Sequence, residues 1–96
     1  MIRHIVMLRW KNGVDDVARQ TVRDSVETLR AVPEVRALRS GANVGRSPNA
    51  YDYAVVMDFD DMDAFGRYLA SDAHKQYVQG PARGAVESIA AIQHEW

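Results

Sequence analysis

An α+β fold is predicted for this chain: a single four-stranded antiparallel sheet with two helices on one face. Three observations carry that reading. The hydrophobic period alternates between that of a strand and that of a helix in the order β-α-β-β-α-β. The length, 96 residues, makes one domain, 1–96, whose core is modest, since such a chain buries roughly 60–68% of its unfolded surface. The first strand is apolar on both of its faces, although a lone antiparallel sheet with helices on one side needs only one apolar face. The second face therefore calls for a cover, and a second copy of the chain is the economical one.

The elements follow in order. In residues 2–10 one parity holds Ile2, His4, Val6, Leu8 and Trp10, and the other holds Ile5 and Met7 between Arg3 and Arg9. Asn12-Gly13 breaks that strand. Val14, Val17, Ala18, Val22, Val26 and Leu29 then recur at helical spacing as one stripe. Asp15 and Asp16 at its start and Arg30 at its end suit the helix dipole, and Pro33-Glu34 terminates it. Residues 35–45 read as a weaker strand whose arginines and glycine suit a sheet edge or a bulge. After the loop Gly45–Asn49, residues 51–59 form the strongest strand, with Tyr51, Tyr53, Val55, Met57 and Phe59 on one parity. Asp60, Asp61 and Asp63 open a second helix with Met62, Phe65 and Leu69 as its stripe. Ser71-Asp72 caps a further short helix to about Val78, and Gly80-Pro81 breaks it. A last strand covers about Ser88–His94. This order is the split β-α-β, ferredoxin-like arrangement. Two such sheets packed face to face make a dimeric α+β barrel.

Composition removes several classes of function. The formal net charge is −1, which gives no electrostatic reason to expect nucleic acid or a membrane surface as partner. The absence of cysteine excludes disulfides, thiolate metal sites and cysteine nucleophiles. No 18-residue apolar run and no signal-like segment occur, so a cytoplasmic location is the expectation. No HxH or HxxxH spacing exists, and no metal is expected. The acidic run Asp58–Asp63 lacks the glycine and closing glutamate of a calcium loop. Gly80–Gly84 lacks the spacing of a nucleotide loop.

Apart from shifted carboxylates, acid–base chemistry near neutral pH then falls to three histidines and four tyrosines. On one continuous helix Tyr68 and His74 would point about 120° apart, because each residue turns about 100°. A break at Ser71-Asp72 would start a new helix at a new angle and let the two converge. A tyrosine donating to a carbonyl oxygen and an imidazole removing a nearby proton form an enolisation pair. Surface packing of Tyr68 and a helix-start role for His74 are the alternative. His4 sits on an apolar strand face, either as a core residue bonded to a neighbour or as a pocket wall that orients His74 or a substrate oxygen. His94, beside Glu95, reads as a solvated strand end. Val6, Leu8, Val26 and Phe65 are assigned to the apolar wall of the pocket.

The opening Ile2–Lys11, the segment Tyr51–Val55 followed by Phe59, and the stretch Tyr68–His74 resemble the Dabb family, the stress-responsive dimeric A/B-barrel domain, over nearly the whole chain. The resemblance implies a homodimeric barrel. It also extends to polyketide cyclases of the olivetolic acid cyclase type, which close a linear polyketide by an intramolecular aldol condensation without a cofactor. By that resemblance His74 would be the general base, Tyr68 the donor to the enolate oxygen, and His4 a group that positions substrate or relays the proton. There are departures. Ser71-Asp72 stands where the plant cyclases have His-Pro, and small or polar residues near Arg23, Asp24 and Ala85 replace bulky aromatics. A long-chain plant substrate is therefore not carried over. The resulting expectation is a homodimer that binds a small organic molecule and acts as a cofactor-independent cyclase on a poly-β-ketone or related carbonyl compound. A non-catalytic stress-associated dimer and a cofactor-free monooxygenase of the barrel type are the alternatives.

Overall fold

The computed structural model describes residues 1–96. Its elements are strand β1 (Ile2–Trp10), helix α1 (Asp16–Thr28), strand β2 (Ala37–Ala42), strand β3 (Tyr53–Phe59), helices α2 (Met62–Ala70) and α3 (Asp72–Tyr77), and strand β4 (Val86–Glu95). The strands form one antiparallel sheet in the order β2-β3-β1-β4. This is the ferredoxin-like arrangement, with the arginine-bearing β2 at one edge and β4 at the other.

Each helix begins where a side chain can satisfy a free amide. Asp15 accepts from the Ala18 amide, Asp61 from the Ala64 amide and Ser71 from the His74 amide. The chain leaves α1 through a single tight turn at Leu29–Ala31, so Arg30 lies in that turn rather than in the helix. Val32, just before Pro33, is extended.

The register decides which residues share a face. His4 lies between Met57 and Gln93, Val6 between Val55 and Ala91, and Leu8 between Tyr53 and Ile89. These residues face the helices; Leu8, Tyr53, Val55 and Met57 join the core with Val22, Val26 and Leu29 of the first helical segment and Phe65 and Tyr68 of α2, whereas Ile89, Ala91 and Gln93 on the edge strand stay exposed. The opposite face carries Ile5, Met7, Ala54, Val56, Ala90 and Ile92, flanked at one end by an Arg3–Asp58 ion pair of 2.9 Å. The Arg3 guanidinium also stacks on Trp96, 4.2 Å from the ring centroid. Nothing in one protomer covers this face: Met7 and Ile92 are 39% and 61% exposed.

Several expectations are corrected. Val17 is 76% exposed and lies off the α1 stripe, because the burying positions there are Val22 and Val26. On α2, Ala64, Phe65 and Tyr68 are buried whereas Met62 and Leu69 are largely exposed, so the buried stripe lies to one side of the expected one. The second strand is shorter than 35–45, the third starts at Tyr53, leaving Tyr51 outside it, and the fourth is longer than 88–94.

Burial makes the first test direct. Leu8→Ala, at a fully buried position, should lower unfolding free energy by about 2–5 kcal/mol, whereas Val17→Ala should change it by no more than about 0.5 kcal/mol. Denaturant titration of both variants checks the contrast, and equal losses would contradict the assigned helix face.

Candidate functional site

The site is built around the junction of α2 and α3. The backbone at Ser71 is extended, with φ −69° and ψ 151°, and this ends α2. The Ser71 hydroxyl donates to the Tyr68 carbonyl (2.6 Å) and accepts from the His74 amide (3.2 Å). One side chain therefore ties together the last turn of one helix and the first turn of the next. The break brings the two rings into edge-to-face contact, with centroids 4.9 Å apart.

Tyr68 is almost fully buried and packs on Phe59 and Phe65 at 5.1 and 6.3 Å. Its other side meets His4, ring to ring at 6.3 Å. His4 in turn rests on Phe65 at 4.8 Å. The phenol thus neighbours both imidazoles. All three side chains line a cavity of about 180 Å³ between the sheet and the helices. The remaining wall is mostly aliphatic, and no lysine, arginine, aspartate or glutamate contributes to it. An apolar cavity of about 150 Å³ holds a benzene ring, so this one has room for a group of about that size. A wider groove of about 520 Å³ shares Tyr77, Val78 and Ile89 with it and leads to the surface.

The electrostatics follow from the dry wall. Burial lowers the His74 pKa below its ordinary 6.5, with partial opposition from the Leu69 backbone carbonyl. Burial also lowers that of His4, opposed by the hydrogen bond to Gln93 and reinforced by His74. Burial, with a smaller contribution from Tyr77, raises the Tyr68 pKa well above that of a free phenol. Tyr77, which lines the same cavity, is pushed up to about 12 by burial and then by Tyr53. At neutral pH the site therefore holds neutral imidazoles beside protonated phenols. That combination offers proton acceptors and donors without net charge.

The cavity includes His4, Tyr68 and His74 together with Val6 and Val26 of the expected wall. Leu8 and Phe65 are corrected: Leu8 is fully enclosed in the core, and Phe65 backs His4 and Tyr68 from behind rather than lining the cavity. His94 is exposed and its ring contacts the Glu95 carbonyl at 2.9 Å, outside the cavity. Two residues escape the sequence reading. Tyr77 follows His74 by three positions on one short helix, a spacing that places both on one face and could have flagged it. Gln93 bonds the His4 Nδ1 at 2.7 Å, a contact that depends on strand pairing across the whole chain.

Residues 2–95 match the family of the Stress responsive A/B Barrel Domain. An uncharacterized protein of Streptomyces coelicolor is 38% identical over 83 residues, covering 81% of this chain and 84% of its own. A dimeric ferredoxin-like protein of unknown function from Thermobifida fusca has a solved structure with a TM-score of 0.88 at 29% identity, covering 99% of this chain and 90% of that one. The hydroxynitrile lyase of Passiflora edulis superposes with a TM-score of 0.85 at 18% identity, covering 97% and 90% of the two chains. No helix here is long and apolar enough to cross a membrane.

The lowered histidines predict a pH effect with a definite sign. An unfolded histidine takes up its proton near 6.5, whereas folded His4 and His74 resist it. The unfolded state therefore binds more protons in that window, and stability should fall as pH drops through about 6.5. Asp58 and Asp60, whose carboxyls are held low chiefly by hydrogen bonds from Arg3 and Arg36, add their losses at more acidic pH. Thermal unfolding across pH 5–8 checks this, and a stability that rises on acidification over that window would refute it.

Proposed function

The chain belongs to the stress-responsive A/B-barrel (Dabb) family, and from that premise we propose that it is a homodimer binding a small uncharged carbonyl compound in each protomer. The chemistry we assign is cofactor-independent carbon–carbon bond formation of the aldol or polyketide-cyclase type. One observation carries the proposal: a buried phenol and a half-buried imidazole meet at 4.9 Å on the wall of an apolar, charge-free cavity.

His74 takes a proton from the carbon next to the carbonyl. The Tyr68 hydroxyl donates a hydrogen bond to the oxygen as negative charge develops there. The enolate carbon then bonds to a second carbonyl carbon, whose oxygen receives a proton from the His74 imidazolium, restoring the base. The low His74 pKa keeps it unprotonated at neutral pH, and the high Tyr68 pKa keeps its donor proton in place. The cavity volume suits one ring-sized reacting unit, so a longer substrate would extend into the wider groove past Val78 and Ile89. The Passiflora edulis enzyme shares the fold alone, and the reading rests on this chain's own residues.

The dimer is supported by the uncovered apolar sheet face and by the dimeric Thermobifida fusca protein. Ile92→Glu places a charge on that face, on the edge strand beside Ile5. Sedimentation at micromolar protein should give twice the 10.8 kDa chain mass for the native protein and a monomer for the variant. A native monomer would end the proposal of a dimer.

The chemistry is tested by deuterium uptake from heavy water at the methyl group of acetophenone, followed by proton NMR. The native protein should accelerate exchange. His74→Ala should remove about 10²–10⁴-fold and Tyr68→Phe about 10²–10³-fold, with both variants folded by circular dichroism. Acetophenone that binds without accelerated exchange, or a His74→Ala variant with full exchange, would overturn the assignment.

A further inference from the structure

Gln93 lies directly across from His4 in the β1–β4 register, on the helix-facing side of the edge strand. Its Oε1 is 2.7 Å from the His4 Nδ1. With the amide turned this way its oxygen can only accept, so the contact goes with a proton on Nδ1. A neutral imidazole carries one ring proton, and the bond made by one nitrogen sets the state of the other. The His4 ring lines the cavity, and its Nε2 has no protein partner. The groups around the ring are Phe59, Phe65, Tyr68 and His74, and no carboxylate lines the cavity to compete for the tautomer. Gln93 is exposed at the sheet edge, so its amide N–H groups remain hydrated while its oxygen serves His4.

We infer that Gln93 is a positioning residue that holds His4 in the Nδ1–H form, so that Nε2 presents a lone pair to the cavity and selects ligands that carry a hydroxyl as well as a carbonyl. The inference rests on the carbonyl-pocket reading for its second half only. Tyr68 supplies the donor that a carbonyl oxygen needs, and His4 supplies the acceptor that a hydroxyl needs. The cavity then discriminates by hydrogen-bond polarity in addition to size. A ligand without the hydroxyl covers that acceptor without pairing it, which weakens binding.

The tautomer is read without any substrate, by long-range proton–nitrogen correlation NMR on the uniformly labelled full chain above neutral pH. The expected result is a His4 with a protonated Nδ1 and a pyridine-like Nε2. Gln93→Leu should shift the population toward Nε2–H, while Gln93→Glu, which keeps an acceptor at the same place, should retain Nδ1–H. A native His4 that is mainly Nε2–H, or a Gln93→Leu spectrum unchanged at His4, would overturn the inference. The selectivity is read by titrating acetophenone and meta-hydroxyacetophenone into the native protein and the Gln93→Leu variant. The hydroxylated ketone should bind the native protein about three- to tenfold more tightly than its parent, and Gln93→Leu should erase the difference. Equal binding of both ketones to the native protein would overturn the selectivity. Binding of neither ketone, with the Nδ1–H form present, would overturn the carbonyl-pocket reading and leave the tautomer assignment standing.

Discussion

Ser71 stands where two helices meet at an angle, and the site depends on that angle. Its extended backbone stops α2, and its hydroxyl bonds to the carbonyl of Tyr68 and the amide of His74. An uninterrupted helix would send the two side chains to different sides. With the break they share one cavity wall. The hydroxyl satisfies one end group of each helix, so the geometry that brings the pair together also answers the demand for capped termini.

The cavity is defined as much by what stays out of it as by what lines it. The chain carries twelve Lys and Arg and thirteen Asp and Glu, yet none of them reaches the cavity. Ion pairs such as Arg36–Asp60 and Arg30–Glu27 sit on the exposed surface, where water screens them and their contribution to stability is small. A charged group inside the cavity would bear a large desolvation cost. Neutral imidazoles and phenols bear much less and still exchange protons. Burial therefore moves the histidine and tyrosine pKa values apart, so that at neutral pH an unprotonated imidazole stands beside a protonated phenol.

The two sheet faces divide the remaining tasks. Even-numbered residues of β1 face the helices and take His4 to the cavity, while odd-numbered residues carry Ile5 and Met7 to the uncovered side. β1 is central in the sheet, so both faces converge on the same strand. On the proposed reading, dimerisation would press on the back of the strand that holds His4.

The fold was legible along the chain because hydrophobic period is a local property. The parity of residues 2–10 grouped His4 with Ile2, Val6, Leu8 and Trp10 on one face of the strand, and the Ser71-Asp72 cap signal foretold the break. The family resemblance in Tyr68–His74 pointed to the same residues. What the sequence could not settle lay in relations between distant segments. Val17 and Met62 satisfy a helical spacing yet lie at the surface, because the side of a helix that is buried depends on how the helix sits on the sheet. Leu8 and Phe65 were expected on the pocket wall and lie in the core instead, because the boundary between solid core and cavity wall depends on three-dimensional packing. Gln93 is separated from His4 by 89 positions, and a slip of β4 by one residue would turn its side chain to the other face. The sequence by itself determined the order of elements, the apolar faces and the residue types capable of proton transfer, since each is written in local spacing and composition. Tertiary structure alone decided which of those residues share a cavity and what burial does to their pKa values, because long-range register and packing create both the proximity and the low-dielectric surroundings.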